Sequence, residues 1–106
     1  MSTGQYEVFD NPVSRARRAF PFVTILQSDL ADTGSDRLVA PLVPRTRLTA
    51  AVGRLMPIVT VLGAEHVLIV PRMVPVAAAD LGTPKDRLTR HRSEIVAAVD
   101  LLFLGV

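Results

Sequence analysis

The stretch Ile95–Val106, IVAAVDLLFLGV, decides the class of fold, because the hydrophobic period changes there. Ile95, Val99, Leu102, Phe103 and Val106 recur at spacings of four, three, one and three, so they share one face and predict a helix. Asp100 is its only charge, although a helix lying on a sheet should be polar on its outer side. Ala97, Ala98, Leu101 and Leu104 fall off the stripe, and exposing each of the two leucines forgoes roughly 1.5–3 kcal/mol of burial. Such a helix asks for cover, either from one core on both faces, or from a homodimer seam or partner-binding tip. Asp100 must be hydrated, capped or paired, since an unpaired buried carboxylate would give up its charge. Thr83 before Pro84, with Asp86 three positions after Thr83, reads as the helix start, and Thr89 followed by Ser93 and Glu94 as a second one.

Upstream of that helix the pattern is β. Tyr6, Val8 and Phe9 make a short first strand that stops at Asp10, Asn11 and Pro12. Arg15, Arg17 and Arg18 lie between Pro12 and Pro21, too close a pair of prolines for a stable helix, so an exposed loop or hairpin tip is expected. Phe20 to Gln27 is aromatic and β-branched, a second strand with Pro21 at its beginning. The turn cluster Asp32 to Asp36 precedes a third strand, in which Leu38, Ala40 and Leu42 alternate with Arg37, Val39 and Pro41 until Pro44. Thr46 to Met56 fits either a short helix weakened by Gly53 or an irregular strand. Ile58 to Leu62 and His66 to Val70 read as a hairpin around Gly63, Ala64 and Glu65, and Met73 to Ala79, interrupted by Pro75, as an edge strand.

With 106 residues, 49% hydrophobic and 21% charged, the chain is expected to be one domain, residues 1–106, with a packed core. Zero cysteines exclude disulfides and thiolate metal sites. No stretch approaches the ~20 apolar residues of a membrane span, and Met1 to Phe9 has no signal-peptide pattern, so the expected compartment is the cytoplasm. The net charge is only +2, and the pI of 9.9 reflects eleven arginines that stay protonated to high pH.

No P-loop, dinucleotide glycine pattern, nucleophile elbow or paired metal-binding histidines occur, so motifs indicate no enzyme, no metal and no cofactor. His66 and His91 are too few for an ordinary nitrogen-ligand site. Ser28 and Asp29 beside Gln27 point to opposite strand faces and make no nucleophile pair. Three basic clusters remain: Arg15, Arg17 and Arg18; Arg45, Arg47 and Arg54; and Lys85 to Arg92. Guanidinium groups grip phosphate or carboxylate alike. With one Tyr, no Trp and four Phe mostly in apolar runs, little suggests base stacking, so an acidic protein partner suits these clusters at least as well as RNA.

Gln27-Ser28-Asp29, then Asp32-Thr33, Arg37-x-Val39-x-Pro41-Leu42, Leu55-x-Pro57, Gly82 and finally Ile95, Ala98, Leu101, Phe103 and Gly105 stand in an order that resembles the CcdB family, toxins of bacterial toxin–antitoxin pairs. The resemblance implies an α+β fold, mainly antiparallel β, with an SH3-like barrel or sheet core, a C-terminal α-helix and a homodimeric assembly. It implies no catalysis by the chain itself: the dimer wedges into the gyrase A subunit and traps gyrase on cleaved DNA. A small antitoxin of the CcdA type neutralises it through a disordered tail and represses the operon with it, so contact with DNA is indirect.

Carried over, the gyrase contacts fall on Asp100, Phe103, Leu104, Gly105 and Val106, with Leu30 and Ala31 after the Gln-Ser-Asp motif. The loop Arg15, Arg17 and Arg18 is the expected antitoxin docking point, with Arg45 and Arg47 as further candidates. Two positions depart from the family's best-known plasmid toxin: Leu104 replaces a large aromatic residue and Asp100 an uncharged amide. Losing an aromatic anchor costs a small interface several kcal/mol unless the pocket matches. The competing expectations are an endoribonuclease of the related MazF and Kid fold, and a homologue that binds antitoxin without poisoning gyrase.

Overall fold

The computed structural model of the chain describes residues 4–31, 34–48 and 53–106. Seven strands are found there: β1 (Glu7–Asp10), β2 (Phe22–Ile25), β3 (Asp36–Pro44), β4 (Ile58–Val61), β5 (Ala64–Leu68), β6 (Val74–Ala77) and β7 (Asp86–Arg87), followed by the helix α1 (Arg92–Leu104). All pairings are antiparallel, in the order β4-β5-β3-β2-β1-β7, with β6 paired to β3. The nine residues of β3 organise the sheet. One side pairs with β2 from Val39 to Leu42, and the other takes β6 from Asp36 to Val39 and β5 from Leu42 to Pro44.

Side chains close the sheet into a nearly complete barrel. Thr60 sits opposite Glu65 in the β4–β5 hairpin, and its N–H and C=O face away from β5. His91 Nε2 accepts the Thr60 N–H at 3.1 Å and Arg90 Nη2 donates to the Thr60 carbonyl at 2.7 Å. Asp86 Oδ2 accepts the Leu62 N–H at 2.8 Å. Three side chains from the β7 segment and the turn after it thus replace the strand that β4 lacks, and blunt an edge that would otherwise template pairing with another chain.

The core occupies both faces of this sheet. Val8, Ala40, Leu42, Val59, Val61, Leu68 and Leu88 fill the barrel and meet Ile95 and Ala98 of α1. Phe9, Val23, Ile25, Val39 and Leu81 form a second cluster, and Val43, Val67 and Ile69 a third. The expected alternation on β3 holds for Ala40 and Leu42, but Val39 and Val43 are buried too, on the opposite face. Leu81, brought there by the chain after β6, covers Val39 on that side. Glu7 is likewise buried, accepting the Gly4 amide at 2.6 Å and facing Arg87 across the β1–β7 pair at 3.5 Å.

The helix start expected at Thr83 is incorrect. Lys85 N–H donates to the Val8 carbonyl and Leu88 N–H to the Tyr6 carbonyl, so this segment runs as β7 along β1. A helix there would leave the β1 edge unpaired, and tertiary pairing overrides the local Thr-Pro signal. The second start is nearer: Thr89–His91 is a 3₁₀ turn leading into α1, which places His91 before the helix rather than on it. Asp32 and Thr33 of the turn cluster lie outside the described residues, as do residues 49–52 of the ambiguous Thr46 to Met56 segment; its beginning belongs to a 3₁₀ turn, Arg45–Arg47.

The hairpin turn is also tighter than Gly63-Ala64-Glu65. It is the two-residue turn Leu62-Gly63, with φ of 50° and 82°, and Ala64 and Glu65 already belong to β5. Positive φ at both positions matches the right-handed twist of the strands, a geometry that favours Asn-Gly. Leu62 is exposed, so little packing offsets its left-handed backbone. Leu62→Asn is therefore expected to stabilise the fold by about 1 kcal/mol, read as a raised urea midpoint at unchanged slope. A lowered midpoint would contradict this account of the turn.

Candidate functional site

The first two turns of α1 are held and the last is not. Ile95 and Ala98 are fully buried and Val99 is partly so, whereas Phe103 is 65%, Leu104 71% and Val106 76% exposed. The expected stripe is thus corrected: Leu102, Phe103 and Val106 leave it, and Ala98, placed off it, joins the core. The helix meets the barrel through Ile95 and Ala98, beside the 3₁₀ turn Val70–Arg72, and its final turn projects past them. Gly105 ends the helix with φ of 73°, donating its N–H to the Leu101 carbonyl at 3.1 Å. A Cβ at Gly105 would meet nothing within 4 Å, so the glycine serves the left-handed backbone and not a close approach.

Asp100 is exposed, and no salt bridge among the described residues involves it. Hydration is therefore the alternative realised. A carboxylate in the last part of a helix lies at the negative end of the macrodipole, a placement that disfavours the helix by a few tenths of a kcal/mol. Phe103, Leu104 and Val106 are left mostly uncovered beside this charge. Apolar groups left exposed together in this way mark a contact surface.

Leu30 and Ala31 lie on a separate turn after β2. Leu30 is 95% exposed, on a turn pinned from all sides: Ser28 Oγ accepts the Leu30 N–H, Asp29 Oδ1 the Gln5 N–H, and Gln27 Oε1 the Leu38 N–H. The Gln-Ser-Asp motif acts as a local scaffold for this turn. Among the described residues no hydrogen bond or salt bridge joins this turn to the helix tip.

The exposed Arg15, Arg17 and Arg18 surround the 3₁₀ turn Ser14–Ala16, as the two flanking prolines suggested. Sequence reading took Asn11 only as a turn former; it is buried, and its side chain bonds the Phe20 carbonyl at 2.9 Å and the Val13 N–H at 3.0 Å, fixing both ends of the loop. The structure also unites two of the basic clusters, since Arg47 Nη1 donates to the Arg18 carbonyl. Arg72 lies 5.6 Å over the Phe20 ring, and the two residues form a ridge between apolar hollows of about 410 and 370 Å³. Val13, Ala16, Met73 and Val76 line the first, and Val43, Leu48, Met56 and Ile69 the second; no acidic residue lines either. This basic-rimmed face could not be read from spacing, because its parts come from residues 11 to 76.

Electrostatics single out the barrel seam. Burial pushes the Asp86 carboxyl up, but the Leu62 and Arg87 amides, with Arg90 and His91, outweigh it and hold the group below its ordinary value of 3.8. A carboxyl lowered by folding contributes stability that is present above the unfolded value and lost as pH falls through the folded one. Urea titrations at falling pH are expected to show wild-type stability declining below 3.8, and Asp86→Asn lacking that component. An identical acid limb in the variant would remove Asp86 from the account. Near the root of the helix, burial raises the Tyr6 hydroxyl above 10.0 against the pull of Arg92. Its stabilising share is lost as pH rises through that higher value.

No group of three His, Asp or Glu able to hold a metal occurs among the described residues, and no helix there is long and apolar enough to cross a membrane. Exposed apolar and cationic surface of this kind can bind a partner through anchors and charge. A search of curated proteins returned no match. A family model described as the CcdB protein matches residues 5–105, with the antiparallel barrel and the terminal helix inside the match. The chain belongs to the CcdB family, the toxins of toxin–antitoxin pairs.

Proposed function

We infer that this toxin acts as a homodimer on the gyrase A subunit in the bacterial cytoplasm, trapping gyrase on cleaved DNA. The observation that carries this reading is the exposed apolar tip of α1, in which Phe103, Leu104 and Val106 stand free around Gly105 beside the hydrated Asp100. An aromatic anchor with aliphatic neighbours is the composition of a small interface's energetic centre. Leu30, held out by its own scaffold, is a second contact on the same partner. Nothing in this reading requires bond chemistry by the chain itself: the toxin stabilises one state of another enzyme by binding it.

The antitoxin is placed along the Arg15, Arg17 and Arg18 loop, extending to Arg47 and the two hollows beside the Phe20–Arg72 ridge. A disordered acidic tail with spaced aliphatic side chains would meet charge on the rim and fill the hollows, and covering much surface offsets its ordering entropy.

The test is a cleavage assay with gyrase from the host, ATP and supercoiled plasmid, denatured and protease-treated before electrophoresis. Accumulated linear DNA supports poisoning. Its absence with folded, dimeric protein would rule poisoning out and favour a homologue that only binds antitoxin.

A further inference from the structure

We propose that His91 is a proton-operated latch on the exposed edge of β4. The Thr60 N–H points at Nε2 at 3.1 Å, so that nitrogen must carry a lone pair and the ring proton must sit on Nδ1. The geometry therefore selects the neutral ring and one of its two tautomers. A protonated ring would set an N–H against an N–H, and the bond to Thr60 would be lost.

A destination for the protonated ring lies next to it. Asp86 feels the charge of His91, is held ionised by the Leu62 and Arg87 amides, and already stands 3.9 Å from Arg90 Nη2. The other charges on the elements around the ring are Arg87 on β7, Arg90 in the same turn, and Arg92 and Glu94 on the first turn of α1; β4 itself carries none. Asp86 draws an imidazolium away from Thr60. Asp86 ionises below ordinary carboxyls, so it is the anion of this seam.

The two states differ at one backbone group. With His91 neutral, the Thr60 amide is paired and β4 is guarded on its outer side. With His91 protonated, that amide is released, while Arg90 still holds the Thr60 carbonyl at 2.7 Å and Asp86 the Leu62 amide. The edge is then half open to an incoming strand, directly beside the turn that starts α1. The latch depends only on the seam and not on what the helix tip binds.

Nuclear magnetic resonance of the full-length chain tests the latch. Nitrogen shifts of the His91 ring are expected to show protonated Nδ1 and bare Nε2 in the neutral form. Amide exchange, corrected for its intrinsic pH dependence, should show Thr60 losing about tenfold protection as His91 titrates, the size of one modest hydrogen bond. Val59 and Val61, whose amides face β5, and Leu62, held by Asp86, should keep theirs. His91→Gln retains an acceptor without a charge change, so its Thr60 protection should be independent of pH. A proton on Nε2 in the neutral form, or Thr60 protection that does not follow the His91 titration, would overturn the proposal. So would a Gln variant that titrates like the wild type.

Discussion

Phe103→Ala is expected to raise more than about tenfold the dose needed to form linear DNA with host gyrase, while leaving the chain as stable as before. The ring is 65% exposed and lies on the last turn of α1, so its removal opens no cavity in the monomer. Surface truncations of that kind usually stay within about 0.5 kcal/mol. An aromatic side chain at the centre of an interface is another matter, because it anchors contacts that surrounding residues only seal. Truncating such an anchor typically costs more than about 2 kcal/mol, which is more than a factor of ten in affinity. Two measurements are needed: urea unfolding to show that the fold is intact, and toxin titration against gyrase to show the displaced dose response. Poisoning at wild-type doses by a folded Phe103→Ala protein would remove the tip from the site.

Ile95→Ala, two turns earlier on the same helix, should do the reverse. Ile95 is fully buried against the barrel interior with Ala98 and Leu88, where its removal leaves a hole that the sheet closes only in part. The expected loss is about 2–5 kcal/mol, a large share of a typical total of about 5–15 kcal/mol. For a chain of 106 residues each kcal/mol corresponds to roughly 4–8 °C in Tm, so thermal unfolding should shift by about 8 °C or more. Toxicity should fall in proportion to the folded fraction and recover at lower temperature. A stable Ile95→Ala protein would mean that α1 is not docked through this residue. The pair of variants separates the holding end of the helix from the presenting end.

The strands were legible because each carries its own signal. Phe22 to Ile25 is aromatic and β-branched, Val8 and Phe9 run into a turn, and the hairpin flanks Gly63, so β1, β2, β4 and β5 follow from local chemistry. The hairpin turn was misjudged by two residues because Leu62 gives no sign that it will accept a positive φ. At residues 83–88 local and global preferences conflict: Thr83-Pro84 reads as a cap, but the unpaired edge of β1 takes the segment as β7. The buried faces of Val39 and Val43 were missed for the same reason, since period-two reasoning assumes a sheet with one wet side.

For the site, the sequence pointed to the residues and left their roles open. That Ile95–Val106 has too much apolar surface and one unplaced charge follows from composition along a helix, before any fold is known. Which of those side chains are bare is set by how far the helix runs past the barrel, a property of packing. The basic face around Phe20 and Arg72, and the seam in which His91, Arg90 and Asp86 stand in for a strand, join residues that sequence spacing does not relate. Periodicity reports what a segment does with its own neighbours, and by itself it determined a β-rich chain ending in a helix that seeks cover. Where that helix stops being covered, and what guards the edge of β4, only the tertiary structure decided, because both depend on groups brought together across the barrel.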